Sequence, residues 1–431
     1  MVIDISKRIR SADVQLSKPG VEAVVAGFAA EVKSLGKIAF IKLRDRDGYL
    51  QLVSSDSKMI DKVTKISQES VILVEGKVKL SKLKAGGNEI EIENFEILSE
   101  SEPKLPIEFM GKGIETNLDK RLDYRWIDLR NPKNLLVFKI TTHFMKATRD
   151  FFIKKGLLEL FSPKLIAHPS EGGGEEFAIP YFGKKAFLAQ SPQFYKQMAQ
   201  AAGFEGVFEV APVFRANPSH TTRHDTEFTS LDVEISWIDH EGLMKFEEEW
   251  LSYAFGEVKS KFGKEIKEVF GIDLIVPKTP FPRITFADAL KITGGKTIGS
   301  EEEKKICEYA DKKFKHQFVF VTDFPISERP FYHMRMEKNQ KITMSYDLLF
   351  KNIEITTGAH REHRYDVLVK QAKEKGLNIP SIQFYLNFFK WACPPHSGFG
   401  LSHTRVIMQM LNLPNVREAT FVPRDTERLT P

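Results

Sequence analysis

Over the first hundred positions, apolar and polar residues alternate in short runs; between Val137 and Phe151 apolar residues recur at three- and four-residue spacings instead. The chain therefore changes from a strand-forming to a helix-forming habit. Five β-rich runs separated by turn residues, Ala23 to Ala29, Ile38 to Arg44, Tyr49 to Ser54, Val71 to Leu80 and Ile90 to Leu98, predict five strands. Val137, Ile140, Phe144, Ala147 and Phe151 form one apolar helix face, and Gly156 supplies the stop. Val207 to Arg215 predicts another strand. The strand after it alternates strictly, with Ser230, Asp232, Glu234 and Ser236 on one face and Leu231, Val233 and Ile235 on the other. One of those faces is core and the other meets something polar.

Further on, Ile342 to Phe350 and Ile353 to Thr357 predict a hairpin turning at Lys351-Asn352. Leu349 then lies opposite Glu354, with Asp347 as a same-face diagonal neighbour about 7 to 8 Å away at the backbone, near enough for two carboxylates to share a cation. Two solvated acids on a hairpin are the plainer alternative. Val406, Ile407, Met410 and Leu411 mark the buried face of a late helix. Residues 240 to 318 are Lys- and Glu-rich, helical in character, and carry no readable motif.

The alternation of patterns predicts an α+β chain, and five short strands suit an OB-fold barrel, a common binder of single-stranded nucleic acid. At 431 residues with 42% apolar content, two or three domains with packed cores are expected. Ser99 to Lys104 is polar and contains Pro103, which suggests a first domain at 1–104, a hinge at 105–131 and a second domain at 132–431. Residues 1 to 90 hold 16 Lys or Arg against 11 Asp or Glu, an excess of five that equals the whole chain's +5. The positive excess thus sits in the predicted barrel. Two cysteines, Cys307 and Cys393, exclude a disulfide framework and a Cys-x-x-Cys metal pair. The start lacks an apolar signal core, and no apolar run approaches the roughly 20 residues of a membrane span. A reducing cytoplasmic compartment is the expectation, with no membrane partner.

Candidate chemistry gathers in the stretch from Phe214 to Phe228. Arg215 at the rim of a strand pair, with Arg223 and His224 in the loop, would set a fork-shaped donor and two further donors around a polyphosphate, although a solvated basic turn has the same composition. Lys196 lies one helical turn after Gln193, and Arg361 lies in a turn after a strand. Two cations converging on one pocket favour a substrate with a carboxylate side chain. An isosteric amide would leave both without their counter-charge, and sites of this hydrogen-bonding kind discriminate by roughly 10⁴ to 10⁵.

These segments resemble, in order, the three motifs of the class II aminoacyl-tRNA synthetases: the helix to Lys155 with Leu157 to Pro163, then Phe214 to Phe228, then Gly398-Phe-Gly-Leu-Ser-His-Thr-Arg405. Gly36 to Gln51 looks like the anticodon-binding OB domain of the subgroup that charges aspartate, asparagine and lysine. From Arg121 to Pro431 the resemblance is nearly continuous, and the shortness of 240–318 places it with the archaeal and eukaryotic members. Gln190-Ser-Pro-Gln193 with Lys196, and Arg329-Pro-Phe-Tyr332, look like the members that take aspartate.

The resemblance implies an antiparallel catalytic sheet flanked by helices, a homodimer through motif 1, and ATP, L-aspartate and tRNA(Asp) as substrates, with tRNA(Asn) left open. It implies Mg²⁺ at Asp347 and Glu354 assisted by Thr357, and aspartate held by Glu171, Gln193, Lys196, Arg215, Asp232, Thr357 and Arg361. It places ATP against Arg215, Asn217, Arg223, His224, Asp225, Phe228, Glu354, Ser402, His403, Thr404 and Arg405, with Arg215 and Arg405 catalytic. Phe40 would stack on an anticodon base and Gln51 would hydrogen-bond to one; on the residues alone, Phe40 is equally a core side chain. The chain departs from the family pattern at Phe28, Asn217, Ser402 and Thr404, where tryptophan, an acid, glycine and an acid are usual. A paralogue making asparagine from the adenylate and ammonia, or a non-catalytic tRNA-binding protein, are the alternatives.

Overall fold

Residues 3–81, 86–110, 116–168, 176–218, 222–223 and 225–431 are described by the computed structural model. They divide into two compact units, Met1–Tyr124 and Arg125–Pro431. The stretch 105–131, expected as a hinge, is shared between them. In the first unit the Phe109 ring lies 5.7 Å from the Arg44 guanidinium. In the second, Arg125 donates to the carbonyls of Thr420 at 2.8 Å and Phe421 at 3.0 Å.

All five predicted strands of the first unit form: β1 (Glu22–Ser34), β2 (Ala39–Arg44), β3 (Tyr49–Ser54), β4 (Val71–Leu80) and β5 (Asn88–Ser99). They close into a barrel because β1 pairs with both β2 and β4, while β5 joins β3 to β4. Closure brings the β1 and β2 backbones so close at Gly27 that a Cβ there would meet the Arg44 carbonyl oxygen at 2.3 Å, so only glycine fits. Ala29, Ile41, Leu43, Leu52, Ile72 and Val74 fill the interior. Alternation settles the two readings of Phe40. Its neighbours Ala39 and Ile41 are fully buried, so Phe40 stands half-exposed on the outer face. Gln51 shares that face, opposite Lys42, with its amide donating to Glu89 at 2.7 Å.

In the second unit an eight-stranded sheet, as described, runs through Arg283–Thr285, β8 (Phe318–Thr322), β9 (Ser345–Phe350), β10 (Ile353–His360), β11 (His396–Ser402), β7 (Glu227–Ser236), β6 (Gly206–Phe214) and Leu158–Glu159. Its six central strands are antiparallel, and each short edge strand joins in parallel. Helix α1 (Pro132–Lys154) starts at an Asn131 cap with proline at its first position and buries the five apolar residues predicted for its face. Against the same core packs a 31-residue helix, α3 (His240–Phe270), whose Trp250 is fully buried, stacks on Phe399 with ring centres 5.7 Å apart, and donates to Thr148. Truncating so large a core side chain costs about 3 to 5 kcal/mol. With Leu231 and Val233 committed to that core, the opposite face of β7 must carry its polar residues, of which Ser230 and Asp232 line a cavity.

Candidate active site

The cavity has a volume of ≈ 320 Å³ and spans β7, β10 and β11 together with α2 (Gln193–Ala201) and the start of α5 (His403–Met410). At one end, four buried charges interlock. Lys196 Nζ lies 2.9 Å from Asp232 Oδ1 and 3.4 Å from Glu234 Oε2, and donates to the Phe399 carbonyl at 3.0 Å. Arg361 Nε donates to Glu234 Oε1 at 2.9 Å, and its Nη2 to the Gly398 carbonyl at 2.8 Å. Burial opposes the Glu234 charge, yet Arg361 and Lys196 outweigh it and hold the carboxyl below its usual range. A Cβ at position 398 would fall 1.9 Å from the Glu234 carboxylate, so the first glycine of the Gly-x-Gly run is what admits that acid beneath β11.

This arrangement corrects the expectation that Lys196 and Arg361 await their counter-charge from a ligand. Glu234, set between them by strand alternation, already supplies one negative charge and Asp232 a second. Asp232 Oδ2 also accepts from Ser230 Oγ at 2.5 Å. Gln193 lines the same end and donates to Gln197 at 2.8 Å.

The other end is more loosely tied. Arg215 follows β6 directly, is exposed, and lies with its guanidinium 5.5 Å from the Phe228 ring centre. Arg223 is drawn toward α4 (Ser300–Phe314), donating to Ser300 Oγ and Glu303 Oε2, both at 2.8 Å. Arg405, in the first turn of α5, donates to the Glu354 carbonyl at 3.0 Å and lies 3.8 Å from its carboxylate. The hairpin turns at Lys351-Asn352 as predicted and pairs Leu349 with Glu354; a bulge beside Leu348 places Asp347 across from Thr357. Thr357 Oγ1 donates to Asp347 Oδ1 at 2.8 Å and lies 3.3 Å from Glu354 Oε1. Burial, with the Asp347 charge beside it, pushes the Glu354 carboxyl up to about 7. Two close carboxylates and a hydroxyl, all oxygen donors, are a donor set that fits Mg²⁺, which takes one or two protein carboxylates and completes its shell with phosphate and water.

Asn217, Asp225, Ser402 and Thr404 also line the cavity. Asp225 is buried and accepts from Thr420 Oγ1 at 2.9 Å, burial pushing its carboxyl up to about 6. The Ser402 and Thr404 hydroxyls lie 3.0 Å apart. His403 departs from expectation: it does not line the cavity, because the first turn of α5 carries its Nδ1 to the Thr229 carbonyl at 3.2 Å. Glu171 and His224 lie outside the described residues.

Against protein families, residues 117–426 match the model described as tRNA synthetases class II (D, K and N), and residues 23–98 match the OB-fold nucleic acid binding domain. The chain is a class II tRNA synthetase of that group. Its relatives include an aspartate–tRNA(Asp) ligase of Pyrococcus furiosus, 43% identical with 96% of this chain and 97% of that one covered. An aspartate–tRNA(Asp/Asn) ligase of Aeropyrum pernix is 39% identical, covering 97% and 98%. Among solved structures, asparaginyl-tRNA synthetase from Pyrococcus horikoshii complexed with asparaginyl-adenylate superposes with a TM-score of 0.88 at 31% identity, covering 96% and 97%.

Among the residues not singled out as site residues in the sequence, Arg329 and His333 line this synthetase's cavity, while Glu234 and Glu303 pair with residues that line it. Glu234 was visible only as part of a polar strand face. Glu303 comes from the motifless helical stretch, and nothing local marks it as the partner of Arg223. Arg329 opens the Arg329-Pro-Phe-Tyr332 segment, His333 comes directly after it, and both line the cavity. Burial, with Arg361 beside it, drives the His333 imidazole well below its usual pKa, so it is neutral and its Nε2 can accept from Arg361 Nη1 at 3.0 Å.

Proposed function

We infer that this synthetase joins L-aspartate to ATP as aspartyl-adenylate and transfers the aspartyl group to the 3′ end of tRNA(Asp), with tRNA(Asn) a second candidate acceptor. The observation that carries the choice of aspartate is the charge count at the interlocked end. If Asp232 turns to the substrate ammonium, Lys196 and Arg361 face only Glu234, and the one surplus positive charge matches one side-chain carboxylate. Asparagine leaves that surplus uncompensated. Gln193 and the Thr357 hydroxyl complete the aspartate contacts, with Glu171 a further candidate for binding it.

The α-carboxylate of aspartate attacks the α-phosphorus of ATP in line, forming the acyl-phosphate bond as pyrophosphate leaves. Arg215, an exposed side chain of the cavity lining, neutralises the charge gathering on the phosphate; Arg223 and His224 hold the terminal phosphates. Phe228 and Arg405 enclose the adenine, the latter as a cation over a π-system. Asn217, Asp225, Ser402 and Thr404 shape the rest of the nucleotide subsite. Asp347, Glu354 and Thr357 would hold Mg²⁺, which supplies further neutralisation of the triphosphate. The terminal ribose hydroxyl of the tRNA then attacks the activated carbonyl and AMP leaves.

In the barrel, Phe40 and Gln51 share the outer face and read the anticodon by stacking and hydrogen bonding. A homodimer through motif 1 is supported by apolar side chains exposed at and after the end of α1: Ile153 is 59%, Leu158 53% and Phe161 84% exposed. Both cysteines are free thiols, as a cytoplasmic protein permits. The readings as an asparagine-forming paralogue and as a non-catalytic binder are not favoured: curated relatives over nearly the full length are named as ligases, and the charged cavity residues are in place.

Two measurements test the reading: pyrophosphate exchange into ATP that requires aspartate, and acid-precipitable aspartyl-tRNA. Arg215→Ala is expected to lower the exchange kcat/KM by about 10² to 10³, the loss typical of a donor that stabilises transition-state charge. Near-normal exchange in that variant contradicts the assignment.

A further inference from the structure

The roles above leave one buried cation of the cavity wall without a task. The Arg329 side chain is 9% exposed, and its guanidinium carbon lies 3.6 Å from the centre of the Phe324 ring. Its Nη2 is 2.7 Å from Asp347 Oδ1, yet among the described residues neither Nη2 nor Nε makes an aligned hydrogen bond. The contact is therefore strong in charge and weak in direction, unlike the aligned, bidentate arginine–carboxylate fork.

Asp347 Oδ1 is also the oxygen that accepts from Thr357 Oγ1, the hydroxyl lying 3.3 Å from Glu354 Oε1. Arg329 thus occupies the side of Asp347 turned toward Glu354, where a cation shared by the two acids would bind. Room exists for it to withdraw, because Arg329 lines both the main cavity and a neighbouring one of ≈ 170 Å³ bounded by Glu303, Asp347 and Glu354.

We propose that Arg329 is an exchangeable counter-ion for Asp347, competing with a divalent cation for Oδ1 and so holding metal affinity low until a polyphosphate arrives. The proposal rests on Asp347, Glu354 and Thr357 being the metal-holding residues. Its logic is a charge balance. Arg329 beside Asp347 and Arg405 beside Glu354 already match the two carboxylates; a divalent cation added to them leaves two positive charges in excess. A polyphosphate removes the excess and offers the released guanidinium oxygens to bind. Metal entry is thereby tied to nucleotide entry by one side chain.

Titration of the full-length protein with Mn²⁺, followed by electron paramagnetic resonance of the free ion in the absence of nucleotide, tests this. Arg329→Gln is expected to bind Mn²⁺ roughly tenfold more tightly than the parent, Arg329→Lys to stay within about threefold of it, and Asp347→Asn to bind more weakly. Adding ATP should narrow the gap between Arg329→Gln and the parent. If Asp347→Asn weakens Mn²⁺ binding while Arg329→Gln leaves it unchanged or weaker, the counter-ion role is overturned and the metal site stands. If Asp347→Asn leaves binding unaltered, both fall. Should Arg329→Gln fail to fold, Arg329→Met in the same titration decides, with the same expectations.

Discussion

The two ends of the cavity hold their charges differently. At the amino-acid end, Lys196, Asp232, Glu234 and Arg361 are all buried and locked by hydrogen bonds at 2.8 to 3.0 Å to one another and to the Gly398 and Phe399 carbonyls. At the nucleotide end, Arg215 is exposed, Arg329 is close to its acid but unaligned, and Glu354 is pressed toward neutrality. A subsite that must reject an isosteric amide gains from rigid, preneutralised charge, because any misfit then leaves a buried ion unpaired. A subsite that admits a large, highly charged leaving group gains from slack. Preorganisation is thus concentrated where selection is made.

The largest effect should follow from breaking the locked end. Glu234→Gln keeps the shape but leaves Lys196 and Arg361 with Asp232 alone; a loss of about 3 to 5 kcal/mol in unfolding free energy is expected, with exchange abolished. A urea midpoint close to that of the parent would show that the lock is not structural. A second acid sharpens the contrast. Glu247 is fully buried on α3 and accepts from Tyr346 at 2.9 Å. Among the described residues no cation offsets its burial, which outweighs the Thr356 and Tyr346 hydroxyls and pushes the carboxyl up to about 8 from the usual 4.5.

The sign for Glu247 follows from proton binding. Below about pH 4.5 folded and unfolded forms are both protonated; between there and about 8 only the unfolded form is ionised, so stability declines as pH rises and levels off above 8. Glu247→Gln should flatten this profile, so that the parent's disadvantage relative to the variant grows by about 3 kcal/mol from pH 5 to pH 8. Chemical denaturation at the two pH values checks it, and parallel profiles would contradict it. The smallest effect belongs to His403, turned toward the Thr229 carbonyl. His403→Ala should leave the KM for ATP within about twofold, a change below roughly 0.5 kcal/mol; a tenfold rise would return it to the nucleotide subsite.

Legibility in the sequence followed the range of the interaction. The barrel strands, the buried face of α1 and the hairpin at Lys351-Asn352 depend on local periodicity and turn chemistry, and each formed where expected. Phe40 was ambiguous until Ala39 and Ile41 were found inside, because alternation gives two faces without saying which one is buried. Glu234 was read correctly as polar-facing, but its partners lie 38 residues back on a helix and 127 residues ahead. Glu303 had no signal at all: a helix rich in glutamate offers many acids, and only tertiary docking selects the one that meets Arg223.

The difference between the two ends is most directly tested by comparing pyrophosphate exchange driven by aspartate with that driven by asparagine. A rigid, charge-matched amino-acid end is expected to favour aspartate by about 10⁴ in kcat/KM. Comparable exchange with asparagine would mean that the interlocked charges at Lys196, Glu234 and Arg361 do not select the substrate.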